Sequence, residues 1–328
     1  MVQMLLFLAT ILLDAGEVLP CYVEPSGTAG CFYRMSSENL NTLLEGHVAS
    51  LYEAGKLDDA LRVAGTALRN ARQAVEDDEA NYPVLVNALE ILANLNRQGG
   101  DFAKSESLYQ EALETAAKCR VQQEQLARLR SGLAMLYDFS QREEAAIPLY
   151  DQAILDYESV TPPKSKESAE LRNNLAMIYK SLGRYALAEQ HYLMSLESLE
   201  RLYGRDSERV AAVFNNLGSL YYTAGFPEQA KEMHVEALDI RQQVLGAEHA
   251  EVAQSYTNLA TACYDLEDDA GVQENYEKSL RILEQHLDTH SDSYEQTGED
   301  YIAVLENLGE PKKAASLRKR MEKVLGRN

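Results

Sequence analysis

Residues Arg172 to Leu199 read RNNLAMIYKSLGRYALAEQHYLMSLESL, and Phe214 to Ile240 read FNNLGSLYYTAGFPEQAKEMHVEALDI. Tyr256 to Leu283 repeats the theme as YTNLATACYDLEDDAGVQENYEKSLRIL. Leu175, Leu217 and Leu259 are each 42 residues apart. Tyr301 continues that count forward, and Leu133 continues it backward. Leu92 lies 41 residues before Leu133, and a unit around Gly55 and Ala60 comes first. Seven units therefore cover nearly all of the chain after residue 40.

Each unit holds two helical patterns. In the first, Leu175, Ile178, Tyr179 and Leu182 recur at helical spacing, and Gly183 follows as a stop signal. In the second, Ala188, Tyr192, Ser195, Leu196 and Leu199 share one face. Small residues recur where the two helices must cross closely: Ala60, Ser105, Ala146, Ala188, Ala230 and Ala314. Aromatic residues follow four positions later at Tyr109, Tyr150, Tyr192 and Tyr276, sized to fill the space beside them. One helix pair cannot bury both of its apolar faces, so neighbouring pairs must stack, which is the logic of a solenoid.

The run Leu217, Gly218, Tyr221, Gly225, Ala230, Ala237 resembles the tetratricopeptide repeat. His234 stands where that pattern has an aromatic residue. The 42-residue period, the NNL opening and the linker LGAEHAEVA are similar to the kinesin light chain class of these repeats. The added length fits a longer second helix, because the proline that ends it in shorter repeats is absent. The resemblance implies an all-α, right-handed superhelical solenoid of about seven antiparallel helix pairs, with first helices lining a concave groove. Two units depart from the pattern. Glu267 replaces the glycine and Val272 the alanine in one, which predicts a looser crossing there. Arg318 and Met321 replace the aromatic and small residue in the last, as a polar cap would.

Register then assigns the groove positions: Asn173, Asn174, Met177 and Lys180; Asn215, Asn216, Ser219 and Tyr222; Thr257, Asn258, Thr261 and Tyr264; and, earlier, Arg128. Asparagine is a poor interior helix former, so Asn174, Asn216 and Asn258 at one register need a reason. One reading is a ladder of amides, each offering a donor and an acceptor to an extended peptide backbone, as in related tetratricopeptide grooves. The other is that each asparagine bonds a neighbouring repeat and holds the stack together. Tyr222, Tyr264 and Phe139 read either as aromatic anchors or as covers for helix ends. Arg97, Arg128 and Lys180 are the basic groove residues; Asp265, Glu299, Asp300 and Glu306 make its far end acidic. Three dispersed cations do not make a carboxylate clamp, and the acidic end suits a ligand carrying basic residues.

Composition narrows the remaining choices. The 328 residues carry 31 Lys+Arg and 52 Asp+Glu, a formal net charge of -21, which argues against a nucleic-acid partner. Eight Pro and 18 Gly argue against a loop-rich β fold, and four Cys do not make a disulfide scaffold. Residues 311–328 hold seven Lys+Arg and one Glu, a basic capping helix or a docking helix. The six His fall at different registers, and there is no HExxH, no CxxC and no phosphate-cradling loop. Neither a cofactor nor a metal nor enzymatic activity is expected.

Met4 to Leu13 reads MLLFLATILL, too short to cross a bilayer. It reads as a degenerate export signal, as the product of a start codon placed too early, or as an apolar arm on the first repeat. Cys21 and Cys31 could pair if the chain were exported. The expected organisation is a non-repeat segment 1–34, a solenoid 35–310 and a capping helix 311–328. The expected role is a cytoplasmic, non-catalytic scaffold that binds a protein or peptide in its groove. A self-assembling structural protein and a regulatory subunit of an enzyme are the alternatives.

Overall fold

The computed structural model describes residues 37–119 and 121–326, and their regular structure is helical throughout. The segment Met4 to Leu13 lies outside the described residues. The chain divides between Pro163 and Lys164 into two compact units. The first holds α1 (Ser37–Glu53), α2 (Leu57–Asp77), α3 (Tyr82–Gln98), α4 (Phe102–Ala116), α5 (Gln123–Phe139) and α6 (Glu143–Ser159). The second holds α7 (Ser165–Ser181), α8 (Tyr185–Tyr203), α9 (Glu208–Thr223), α10 (Pro227–Leu245), α11 (Ala250–Asp265), α12 (Asp269–Leu283), α13 (Leu287–Asn307) and α14 (Pro311–Val324). Within each unit consecutive helices pack against one another, giving three pairs and then four.

The crossings are built as the residue sizes require. Ala60, Ser105, Ala146, Ala188, Ala230 and Ala314 are buried, and so are Tyr109, Tyr150, Tyr192 and Tyr276. Where serine replaces alanine its hydroxyl bonds the facing first helix: Ser105 Oγ donates to the Ala93 carbonyl at 2.8 Å. Ser195 Oγ does the same to the Ala169 carbonyl at 2.7 Å. The second helices α8 and α10 extend to 19 residues, ending at Gly204 and Gly246 with φ of 80° and 89°.

Exceptions to the repeat are compensated inside the same pair. His234 packs against Gly218, where an added Cβ would lie 2.6 Å from the imidazole. Met321 stands at the register of Ala237 and Ser279, and Gly298, which faces it, stands at that of Phe214 and Tyr256. Val272, expected to loosen its crossing, is fully buried in one cluster with Cys263, a small thiol where other units carry tyrosine.

All seven first helices end in the same turn. A backbone N–H bonds the carbonyl five residues back: Lys56 to Leu51, Asp101 to Asn96, Arg142 to Tyr137, Arg184 to Tyr179, Phe226 to Tyr221, Asp268 to Cys263 and Glu310 to Leu305. The turn needs one residue at positive φ, supplied by Gly55, Gly100, Gly183, Gly225 and Gly309. Gln141 and Glu267 hold it at φ of 58° and 55°, where a side chain is strained. Replacing either with glycine should therefore stabilise the protein by up to about 1 kcal/mol, net of glycine's own entropic cost. Urea unfolding reads this as a raised midpoint at unchanged m-value; a lowered midpoint contradicts the strain.

His234 gives a second expectation. Burial, aided by the Arg241 charge, holds its imidazole down at about 4. The unfolded chain, with an ordinary value of about 6.5, takes up the proton first as pH falls. His234 therefore destabilises the fold progressively below about pH 6.5, by roughly 2 kcal/mol at pH 5. His234→Tyr follows the pattern of Tyr192 facing Ala176 and should flatten melting temperature between pH 7 and pH 5. An unchanged slope excludes His234 as its source.

Candidate functional site

In the second unit the first helices α7, α9, α11 and α13 succeed one another, and the residues they turn away from the core form one strip. Asn173, Asn174 and Lys180 are half-buried on α7, and Met177 is 48% exposed. Asn215, Asn216 and Ser219 follow on α9, with Tyr222 36% exposed. Thr257, Asn258, Thr261 and Tyr264 follow on α11, all half-buried. These twelve positions lie on three consecutive first helices. Arg128 lies on α5, in the first unit.

Polar side chains link one first helix to the next along the strip. Asn216 Nδ2 donates to Asn173 Oδ1 at 2.9 Å. Asn258 Nδ2 repeats the bond to Asn215 Oδ1 at 2.7 Å. Lys180 Nζ donates to Ser219 Oγ at 2.9 Å. The inter-repeat role thus applies to Asn216 and Asn258, and each keeps a second amide N–H and its carbonyl. Thr257 is turned inward: its hydroxyl lies 2.8 Å from Ser279 Oγ on α12. Thr261 Oγ1 donates to the Thr257 carbonyl at 3.1 Å.

The charges on the strip are unevenly placed. Lys180 is half-buried, and burial lowers its pKa. Tyr222 is raised by burial and then by the Asp265 carboxylate; Tyr276 by burial, against a Thr261 hydrogen bond, and by Asp300. The Asp265 and Asp300 charges therefore bear on the Tyr222 and Tyr276 phenols. Two buried polar atoms under the strip have no hydrogen-bond partner among the described residues, the Tyr192 hydroxyl and His234 Nδ1. One ring at this register reaches a first-helix side chain: Tyr109 OH donates to Asn94 Oδ1 at 2.6 Å. Register places Tyr192 beneath Met177 and His234 beneath Ser219.

Arg128 was expected in the groove, yet its guanidinium grips Glu90 on α3 through Nε at 2.8 Å and Nη2 at 3.2 Å. Glu90 is 6% exposed. A glutamate inside the apolar run ALEILANL was the sequence signal for this pair. Arg97 lies over the exposed Phe139 ring at 5.9 Å. Among the described residues no group of three His, Cys, Asp or Glu could hold a metal ion. Nor is any helix among them long and apolar enough to cross a membrane.

Stacked helix pairs define a helical-repeat protein. Tetratricopeptide repeat models match residues 84–158, 167–243 and 209–285, and a further one matches 47–118. The chain belongs to the tetratricopeptide repeat family. It is similar to the crystal structure of BtubC (BKLC) from P. vanneervenii, with 34% identity over 69% of this chain and 90% of that one, at a TM-score of 0.59. It is also similar to kinesin light chain-like, nearly identical TPR-like repeats from Podosopora anserina, with 19% identity over 62% and 97% at a TM-score of 0.54. The apo form of RapI shares the fold at 12% identity over 88% and 77%, with a TM-score of 0.68. No curated protein matches the chain.

The Arg128–Glu90 pair is directly testable. Arg128→Ala strands a buried carboxylate and should cost about 2–3 kcal/mol. Arg128→Met with Glu90→Leu should return most of that in urea unfolding. A single substitution without cost would show that Arg128 is free for another role.

Proposed function

We propose that this chain is a non-catalytic interaction scaffold whose second unit holds an extended segment of a partner protein along its first-helix strip. The observation that carries this reading is the amide row Asn174, Asn216 and Asn258, one amide per helix pair, beside exposed Met177 and Tyr222. Asn216 and Asn258 are steadied by the neighbouring helix and still offer one N–H and one carbonyl each. An extended backbone supplies complementary groups at a comparable repeat. Groups already held in place lose little freedom on binding. Met177 and Tyr222 add apolar contact at low entropic cost.

Self-assembly is the second reading. It draws on Lys312, Lys319 and Lys323, exposed along α14 in an otherwise acidic chain. Light scattering separates the two, because a mass that rises with concentration and falls with salt favours assembly.

The strip is tested with Asn174→Ala and Tyr222→Ala, since Asn174→Ala spares the amide bonds between first helices. Helicity and melting should remain those of the wild type. Partner recovery from a lysate of the source cells should fall at least tenfold in the double variant. Undiminished recovery of the same partner by the folded variant moves binding off the strip.

A further inference from the structure

The strip that carries the proposed peptide site has opposite charges at its two ends, and neither end is neutralised by an ion pair. Lys180 reaches over α9 to Ser219 Oγ and meets no carboxylate. At the other end Asp265 follows Tyr264 on α11, and Asp300 stands on α13 at the register of Asn174, Asn216 and Asn258; both carboxylates are exposed, as is Glu299. No ion pair to Asp265, Glu299 or Asp300 occurs among the described residues; Asp300 accepts only a Gln296 amide at 2.9 Å. Two other charges on these first helices are paired: Glu170 with Arg209 at 2.6 Å, and Glu306 with Arg318 at 3.2 Å.

A second observation points to a ligand on the same face. The Tyr192 hydroxyl and His234 Nδ1 are buried, unpartnered, and by register lie under Met177 and Ser219. The equivalent Tyr109 hydroxyl is satisfied by Asn94 at this register. Buried polar atoms without partners are rare because each carries a desolvation cost. Here they lie under the half of the strip that Met177 covers with a flexible thioether.

The geometry points to a ligand of defined charge order: an extended peptide with an acidic side chain at Lys180 and a lysine or arginine between Asp265 and Asp300, its backbone crossing Tyr222. This inference rests on the strip being the peptide site. Packed helices lie about 8–10 Å apart. Lys180 over α9 and the carboxylates of α11 and α13 are then one to two steps apart, roughly 10–20 Å. An extended chain spans this in about three to six residues. A partner with charges of one sign only meets repulsion at one end, which gives selectivity as well as attraction.

The test is selection of a phage-displayed random dodecapeptide library on the full-length protein, followed by fluorescence anisotropy on the selected peptides. Peptides pairing an Asp or Glu with a Lys or Arg three to six residues away should be enriched. Asp265→Asn with Asp300→Asn should weaken them at least tenfold, and so should Lys180→Gln. Selected peptides that lack the charge pair, or that ignore these variants, overturn the inference and leave the strip in place. Peptides whose binding survives Asn174→Ala with Tyr222→Ala in folded protein, or an empty selection, overturn both.

Discussion

The close crossing of the two helices in each pair is the contact on which the rest of the structure depends. A buried Ala or Ser on the second helix lets the axes approach, and a buried aromatic four residues on fills the space beside it. Interiors pack with few voids, so the size at one side of a crossing constrains the other. That constraint is visible where the repeat is broken. His234 goes with Gly218, Met321 with Gly298, and Val272 with Cys263. Stacking of such pairs sets first helices at a regular step and brings separated residues of the second unit, Thr257 excepted, onto one strip.

On that strip one set of side chains does two jobs. Asn216, Asn258 and Lys180 bond the adjacent first helix and still face outward with unused hydrogen-bonding capacity. A face held in this way is preorganised, so less freedom is lost when a segment docks on it. The same economy makes simple truncations ambiguous, because removing Asn216 or Asn258 also loosens neighbouring pairs. Asn174 is the informative position, since no first-helix amide bond depends on it.

Much of the fold was legible in residue size and spacing. The glycine stops, the small residues and the buried tyrosines stand where the 42-residue count puts them. The choice between the two asparagine readings was not legible, because register places an amide on a face without showing which helix it reaches. Thr257 sat in the groove column by count and in fact bonds α12. Arg128 is a groove cation by register, yet Glu90, 38 residues away in the chain, holds it. Gln141 gave no signal of its role, because positive φ is a property of the turn around it.

Periodicity by itself determined the helices, their pairing and the face each buries, because a 42-residue repeat with small and aromatic residues at fixed offsets admits one kind of packing. It also determined which columns face outward. Only the tertiary structure decided how the polar groups in those columns are used: which asparagines bond each other, which threonine turns inward, which cation is neutralised and which carboxylates stay outside ion pairs among the described residues. Apolar burial follows from pattern because it is non-directional, summed over many contacts. Hydrogen bonds and ion pairs depend on direction and on distances of a few tenths of an ångström, which exist only once the helices have stacked.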